Sequence, residues 1–433
     1  MNLNCKHIYL PDGFKDDVYL SIEDGKIKEI SDKPGGSANT LTLDGFVMPG
    51  CVNTHAHMGM KIFNELYQSL NKRTQIDGKQ GIDWLNQIWG YEPKFTPEDV
   101  YAATCMTAYE MISSGTIAVA DHYFFPEEVI KTSNETGLRI LVSPAIFQTK
   151  KNGEYTGNYF MNPDRDIDSL LAEIKDLSIT NLGLAKIAIG AHSIYMLPRN
   201  DLEKIAKFSE REGIPVHMHL GESQEIKTLK ELGTDSISYV NELGLLTERL
   251  LIAHGTILTQ EDAFRMAFAG SKLAWCPFTN ARKGKGLIKY KEMDRAGVPV
   301  GLATDGNISA FSMNLFRHMS YGVTLVNCHE GDMSAISTED SFKILTINGA
   351  RCLGLDKEIG SIEVGKSADL ICVKQPNPTD VIHSTEANDV DFVMVAGRVL
   401  KQDGKLTNGD HYRKVRRLFR DSVSRLEEMI KND

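Results

Sequence analysis

The chain has 433 residues, 42% of them hydrophobic and 24% charged, the composition of an ordinary globular protein too large for one small core. Its net charge of -10 and pI near 5.7 argue against nucleic acid or an anionic membrane as a partner, because both attract positive potential. No apolar run reaches the ~18 residues of a membrane helix, and the residues from Met1 to His7 lack the apolar core of a signal peptide. The cysteines Cys5, Cys51, Cys105, Cys276, Cys328, Cys352 and Cys372 are scattered and form no C-x-x-C pair. They read as thiols of a reducing, cytoplasmic compartment.

The opening stretch alternates short strands and turns. Val18 to Ile22 and Lys26 to Ile30 flank Asp24-Gly25 as a hairpin, Pro34 to Ser37 is a loop, and Thr40 to Val47 is a further strand. After Pro49-Gly50, apolar runs alternate with helical patterns. The strands begin at Val52, Thr116, Arg139, Ile187, Pro215, Leu250, Leu273 and Val298. Runs this apolar indicate strands buried on both faces, as in a parallel sheet. Thr96, Pro97, Asp99 and Gly115 give one intervening helix its cap, first turn and end. Eight such units match the length of a (β/α)8 barrel. Beyond about residue 355 the strands return, at Gly360 to Gly365, Asp369 to Val373 and Phe392 to Gly397. The chain from Asp410 to Lys431 is an amphipathic helix. Its basic run, Arg413 to Arg417, reads as a solvated face. The expected fold is α/β: a catalytic TIM barrel over residues 49–354, with a small β-sandwich built from residues 1–48 and 355–433.

Polar residues gather at the carboxyl ends of the barrel strands, where such enzymes place their active sites. Strand 1 ends in His55-Ala56-His57, strand 5 in His219 with Glu222 beyond it, strand 6 in His254, and strand 8 in Asp305. His55 and His57 reach a common ion if the strand breaks its pleat there. Imidazoles with one carboxylate suit zinc, with ferrous iron as the alternative. Any one of these histidines taken alone would read as a packing or capping residue; their joint placement points to a metal. His217 reads as a supporting residue, and His122 and His192 as pocket residues.

The residues from Pro49 to His57 resemble the P-G-x-x-[ND]-x-H-x-H signature of the amidohydrolase superfamily. His219-Leu220-Gly221-Glu222, Ala253-His254-Gly255, Cys276-Pro277-Phe278-Thr279-Asn280 and Ala303-Thr304-Asp305-Gly306 resemble motifs of its deaminase and chlorohydrolase branch. Asn348-Gly349-Ala350 and the stretch from Gly360 to Leu370 resemble its closing segments. The resemblance implies one divalent metal held by His55, His57, His219 and Asp305. It implies that Glu222, His254 and Asp305 act on the reacting groups. The metal would lower the pKa of bound water toward 7, Glu222 would protonate a ring nitrogen, and ammonia would leave. Two-metal relatives carry a carboxylated lysine at the end of strand 4. Here that strand ends in Gly190-Ala191-His192, and Lys186 is placed ahead of it.

The segments Asp83-Trp84-Leu85, Trp89 to Glu92, Asp121 to Glu127 and Ala191 to Tyr195 look like those of S-adenosylhomocysteine/methylthioadenosine deaminases. That likeness implies Trp89, Glu92 and His192 as substrate-binding residues. The arginine that such relatives carry after strand 3 is missing from Ser143-Pro144-Ala145-Ile146, so a neutral 5′ group, or no nucleoside, is expected. The polar stretch from Lys61 to Gly81 reads as a lid. The expected activity is deamination of an adenosine-like heterocycle. A guanine- or pterin-type deaminase, a triazine hydrolase and, more remotely, a non-catalytic binding barrel are the alternatives. The only partner implied is a small heterocyclic substrate, and a homo-oligomer is left open.

Overall fold

The computed structural model describes residues 1–33, 40–76, 79, 81–151 and 153–432. The loop expected from Pro34 to Ser37 lies outside them. Strands β1 (Asn2–Leu10), β2 (Gly13–Glu23), β3 (Lys26–Ser31) and β4 (Thr40–Pro49) open the chain. Leu3, Cys5, Ile8 and Leu10 alternate along β1 onto one buried face, and Val18, Leu20 and Ile22 do so along β2.

The barrel strands follow. They are β5 (Cys51–His57), β6 (Thr116–Tyr123) and β7 (Arg139–Ile146), then, after a hairpin of β8 (Gln148–Lys151) and β9 (Glu154–Tyr159), β10 (Ala185–Ile187) and β11 (Ile189–Ser193). β12 (Val216–Leu220), β13 (Leu250–His254), β14 (Lys272–Trp275), β15 (Val300–Leu302) and β16 (Asp305–Gly306) complete it. Every pairing in this sheet is parallel, and β16 returns to pair with β5, closing a (β/α)8 barrel. The closing seam is stitched by Asn53. Its Nδ2 donates to Thr304 Oγ1 at 2.8 Å, and its Oδ1 accepts from the Thr304 amide at 3.2 Å.

Several details depart from the sequence reading, among them the stretch from Gly360 to Gly365, expected as a strand and found as bends and turns. The fourth strand is split at Ala188, whose amide bonds to the Val142 carbonyl, and Lys186 lies inside β10 rather than before the strand. Its ammonium pairs with Glu358 on the outside, away from the catalytic edge. The β8–β9 hairpin was not expected, because its polar, glycine-containing sequence carries little apolar alternation.

β17 (Leu370–Val373), β18 (Val390–Val395), β19 (Arg398–Gln402) and β20 (Lys405–Leu406) join β1 to β4 in one mixed sheet. β4 pairs with β1 on one side and with β17 on the other, so the two chain ends meet at this strand. The sheet folds over a shared core that includes Leu3, Leu20, Ile362, Leu370 and Phe392. The β2–β3 turn meets the β18–β19 turn at Gly25. There φ is +75°, and a Cβ would lie 2.6 Å from the Ala396 carbonyl oxygen, so only glycine fits. The terminal helix Gly409–Asn432 buries Val415, Phe419, Leu426 and Ile430 against the chain's own helices. Among the described residues no helix is long and apolar enough to cross a membrane.

One buried ion pair couples the two sheets. Arg139, on β7, donates from Nε to Asp369 Oδ2 at 2.6 Å and from Nη2 to Oδ1 at 3.1 Å, and the Asp369 side chain is fully buried. Cutting the arginine away strands a charge in the interior. Arg139→Ala is therefore expected to cost about 3–5 kcal/mol in urea unfolding. A loss below about 1 kcal/mol would show that the pair is solvated in practice.

Candidate metal and active site

His55 and His57 stand at the end of β5, His219 and Glu222 at and after the end of β12, His254 at the end of β13, and Asp305 at the start of β16. All six are buried. β5 runs as a strand through His57, and its register against β6 shifts between Asn53 and Ala56, the irregularity expected where His55 and His57 turn toward one site. Their ring centroids are 4.8 Å apart.

The hydrogen bonds fix which ring nitrogens face inward. His57 Nδ1 lies 2.6 Å from the His122 carbonyl oxygen, and His219 Nδ1 lies 2.8 Å from that of His192. A carbonyl only accepts, so both Nδ1 atoms carry the proton and both Nε2 atoms present lone pairs. Those two Nε2 atoms are 3.3 Å apart. Asp305 Oδ1 lies 3.4 Å from His57 Nε2 and 3.9 Å from His55 Nε2. His55 is turned by a relay: its Nδ1 is 2.8 Å from His217 Nε2, and His217 Nδ1 is 3.1 Å from Ser143 Oγ. His55 Nε2 is buried and, among the described residues, has no hydrogen-bond partner. Lone pairs converging in a dry site repel one another unless a cation lies between them. The donor set therefore fits a divalent metal. His55, His219 and His254 form one group able to hold an ion, and His55, His57 and Asp305 form another, with ligand atoms within 4.8 Å of one another in each.

The electrostatics agree. Burial, reinforced by the neighbouring His219, lowers His57 to about 4, and burial holds His55, His122, His192 and His217 well below the usual imidazole range. These are neutral rings, the form that binds metal. Burial would raise Asp305, but Lys283 and the surrounding imidazoles override it and hold the carboxylate at about 2. His254 and Asp305 also sit at positive φ, +82° and +69°, a conformation that non-glycine residues adopt at a cost.

Glu222 faces the same cavity. Its Oε1 accepts from Tyr195 Oη at 2.7 Å and its Oε2 from Lys285 Nζ at 2.5 Å. Burial would raise its pKa, but the charges of Lys285, His254 and His219 hold it well below the usual carboxylate range. The group expected as a proton donor therefore rests as a carboxylate. His254 Nε2 is 3.8 Å from Glu222 Oε2, and His254 Nδ1 is 3.0 Å from Asn280 Oδ1, which leaves Nε2 facing the site.

These groups line a cavity of about 480 Å³ whose walls include Trp84, Trp89, Phe124, Phe147 and Tyr195. Volume and lining are those of a small-molecule site. Trp89, Glu92 and His192 all reach it. The Trp89 and Phe147 ring centroids are 4.9 Å apart, and His192 lies 4.8 Å from Phe147. Glu92 Oε1 accepts from Tyr123 Oη at 2.8 Å, and Oε2 is buried with no partner among the described residues. Burial raises Glu92 to about 8. Of the expected lid, Lys61–Thr74 is a helix that buries Ile62, Phe63, Leu66 and Leu70; Asp77, Gly78 and Gln80 lie outside the described residues.

Lys285, Lys283 and Tyr195 had not been singled out as site residues. The two lysines follow the short helix Pro277–Arg282 in a glycine-rich stretch that reads as surface loop. A different trio, Cys105, Glu135 and His411, also lies within metal-binding reach. Its members bond to Thr132, Tyr101 and Tyr109, so no lone pairs are left facing one another there.

A profile of the Amidohydrolase family matches residues 46–400. The chain is 30% identical over 414 residues to 5-methylthioadenosine/S-adenosylhomocysteine deaminase 1 of Archaeoglobus fulgidus, covering 92% of each chain. It is 30% identical over 423 residues to the 5′-deoxyadenosine deaminase of Methanosarcina barkeri, covering 94% of this chain and 93% of the relative. Its fold superposes on a zinc-bound adenosine deaminase from Xanthomonas campestris with a TM-score of 0.86 at 25% identity, over 98% of both chains. It matches the zinc-bound atrazine chlorohydrolase of Arthrobacter aurescens with a TM-score of 0.86 at 20% identity, a likeness of fold alone. Fold, motif order and whole-length similarity agree, and the chain belongs to the amidohydrolase family, as a hydrolase acting on carbon–nitrogen bonds.

Proposed function

We propose that this protein is a zinc-dependent deaminase that replaces the exocyclic amine of an adenosine-like heterocycle with oxygen and releases ammonia. The observation that carries the reading is the anionic, twice hydrogen-bonded Glu222 beside the convergent imidazoles, in a cavity walled by aromatic rings. His55, His57, His219 and Asp305 would hold the metal, which when bound supplies the Lewis acidity that brings water deprotonation near neutral pH. Glu222, resting as a carboxylate, takes a proton from the attacking water and delivers it to a ring nitrogen, which makes the adjacent carbon electrophilic. His254, oriented by Asn280, accepts a hydrogen bond from the incoming oxygen, and Asp305 helps to hold it. The carbon–nitrogen bond then breaks as Glu222 passes the second proton of the attacking water to the amine, which leaves as ammonia. Trp89 and His192 offer the flat faces on which a heterocycle stacks, and Glu92 is placed to bind a hydroxyl. All seven cysteines are free thiols, which supports a cytoplasmic setting.

The test is ammonia release by the zinc-loaded protein from adenosine, 5′-deoxyadenosine, methylthioadenosine, guanine, pterin and amino-triazines. Turnover of an adenosine derivative above the other classes is expected. Chloride or alkylamine release from triazines, without ammonia from any adenosine derivative, would sink the reading.

A further inference from the structure

The cavity is lined by Lys79, Arg282, Lys283 and Lys285, although the chain as a whole carries a net charge of -10. The carboxylates on the same wall are Glu92, Glu222 and Asp305. Glu222 is neutralised by Lys285 at 2.5 Å. Asp305 turns its Oδ1 toward the imidazole nitrogens. Glu92 is fully buried against Tyr123 and held protonated by its surroundings. Lys283 is left over. Its Nζ sits 3.4 Å from the centroid of the Trp84 ring; its charge acts on Asp305, but among the described residues no carboxylate lies within the 4 Å of a direct ion pair. Burial lowers the pKa of this ammonium to about 7, and the nearby Asp305 is turned toward the imidazoles, so the group has given up water without gaining a direct counter-ion. An anionic ligand group would restore that loss.

We infer that Lys283, backed by Trp84, is the recognition point for an anionic substituent, a carboxylate or a phosphate, on the heterocyclic substrate. This rests on the reading of the cavity as a deaminase site and names the substrate class within it. It also reverses the expectation of a neutral group. That expectation came from the missing arginine after the third barrel strand. The structure supplies the cation from the loop after the seventh, on the opposite stretch of sequence. A cavity of about 480 Å³ has room for a heterocycle together with such a substituent.

Calorimetry on the zinc-loaded full chain tests this without needing turnover. The ligands are inosine, inosine 5′-monophosphate and inosine-5′-carboxylate, which carry no amine to lose. At least one of the two anions is expected to bind about 10- to 100-fold more tightly than inosine, and which one wins distinguishes phosphate from carboxylate. Lys283→Met is expected to remove that advantage, and Lys283→Arg to keep most of it. Equal affinity for all three ligands, binding of none, or an advantage that survives Lys283→Met would overturn the inference. If the anion preference holds while no adenosine derivative yields ammonia, the deaminase reading fails and this inference stands.

Discussion

Dialysis against a strong chelator is expected to reduce ammonia release to background and to lower the unfolding midpoint, with one equivalent of zinc restoring both. Three ring nitrogens face inward. His57 and His219 are locked by backbone carbonyls with their Nε2 lone pairs 3.3 Å apart, and His55 Nε2 is buried without a partner. Among the described residues no protein group satisfies His55 Nε2, so a bound cation would stabilise the fold as well as serve the chemistry. Metal at about a thousand times its dissociation constant would add about 4 kcal/mol. The pH dependence has a definite sign. In the unfolded chain imidazoles take up protons below about 6.5. In the folded chain burial, helped by His219, keeps His57 at about 4, and burial keeps His55 far below its ordinary value. The unfolded state therefore binds more protons as pH falls below about 6.5, and stability declines in that window. The ligands of the folded protein stay unprotonated lower still, so metal should be retained at pH 5 and lost near pH 4, as metal content after dialysis would show. A metal-free protein with full activity, or one needing two equivalents, would contradict the single-ion site.

The barrel was legible in the sequence because its strands are buried on both faces, and apolar runs such as those from Thr116 and Leu250 have few other uses. The ends of those runs pointed to His55, His57, His219, His254 and Asp305 for the same reason: a polar residue closing an apolar strand faces the open rim. What stayed hidden depends on contacts distant in sequence. Lys285 meets Glu222 across 63 residues, from a loop whose Gly284 and Gly286 suggest only a turn. Lys283 owes its meaning to Trp84, which lies on a helix after the first barrel strand. The helix over Lys61–Thr74 was hidden because the polar residues there outnumber the four apolar ones that anchor it.

Glu222→Gln is expected to lower kcat by about 10²- to 10⁴-fold with a much smaller change in KM, the loss typical of a missing general acid–base group. The amide can still accept a hydrogen bond from Tyr195, so the cavity keeps its shape and the substrate its stacking faces. What it cannot do is take a proton from water and give it to a ring nitrogen. The companion variant is Lys285→Met. In the native protein burial pushes Glu222 upward, and Lys285, His254 and His219 pull it well below the ordinary carboxylate value. A carboxylate held that low stays ionised throughout the working range, so the native kcat/KM should show no acid limb from this group above about pH 5. Without the lysine, the burial penalty is less opposed and the carboxyl takes up a proton at higher pH. Lys285→Met should therefore introduce an acid limb, or move an existing one upward, while Glu222→Gln should remove any limb that belongs to this carboxyl. If Glu222→Gln keeps near-normal turnover, the proton passes through another group. If Lys285→Met leaves the profile unmoved, the short contact between Lys285 Nζ and Glu222 Oε2 has no part in setting the charge of the carboxylate.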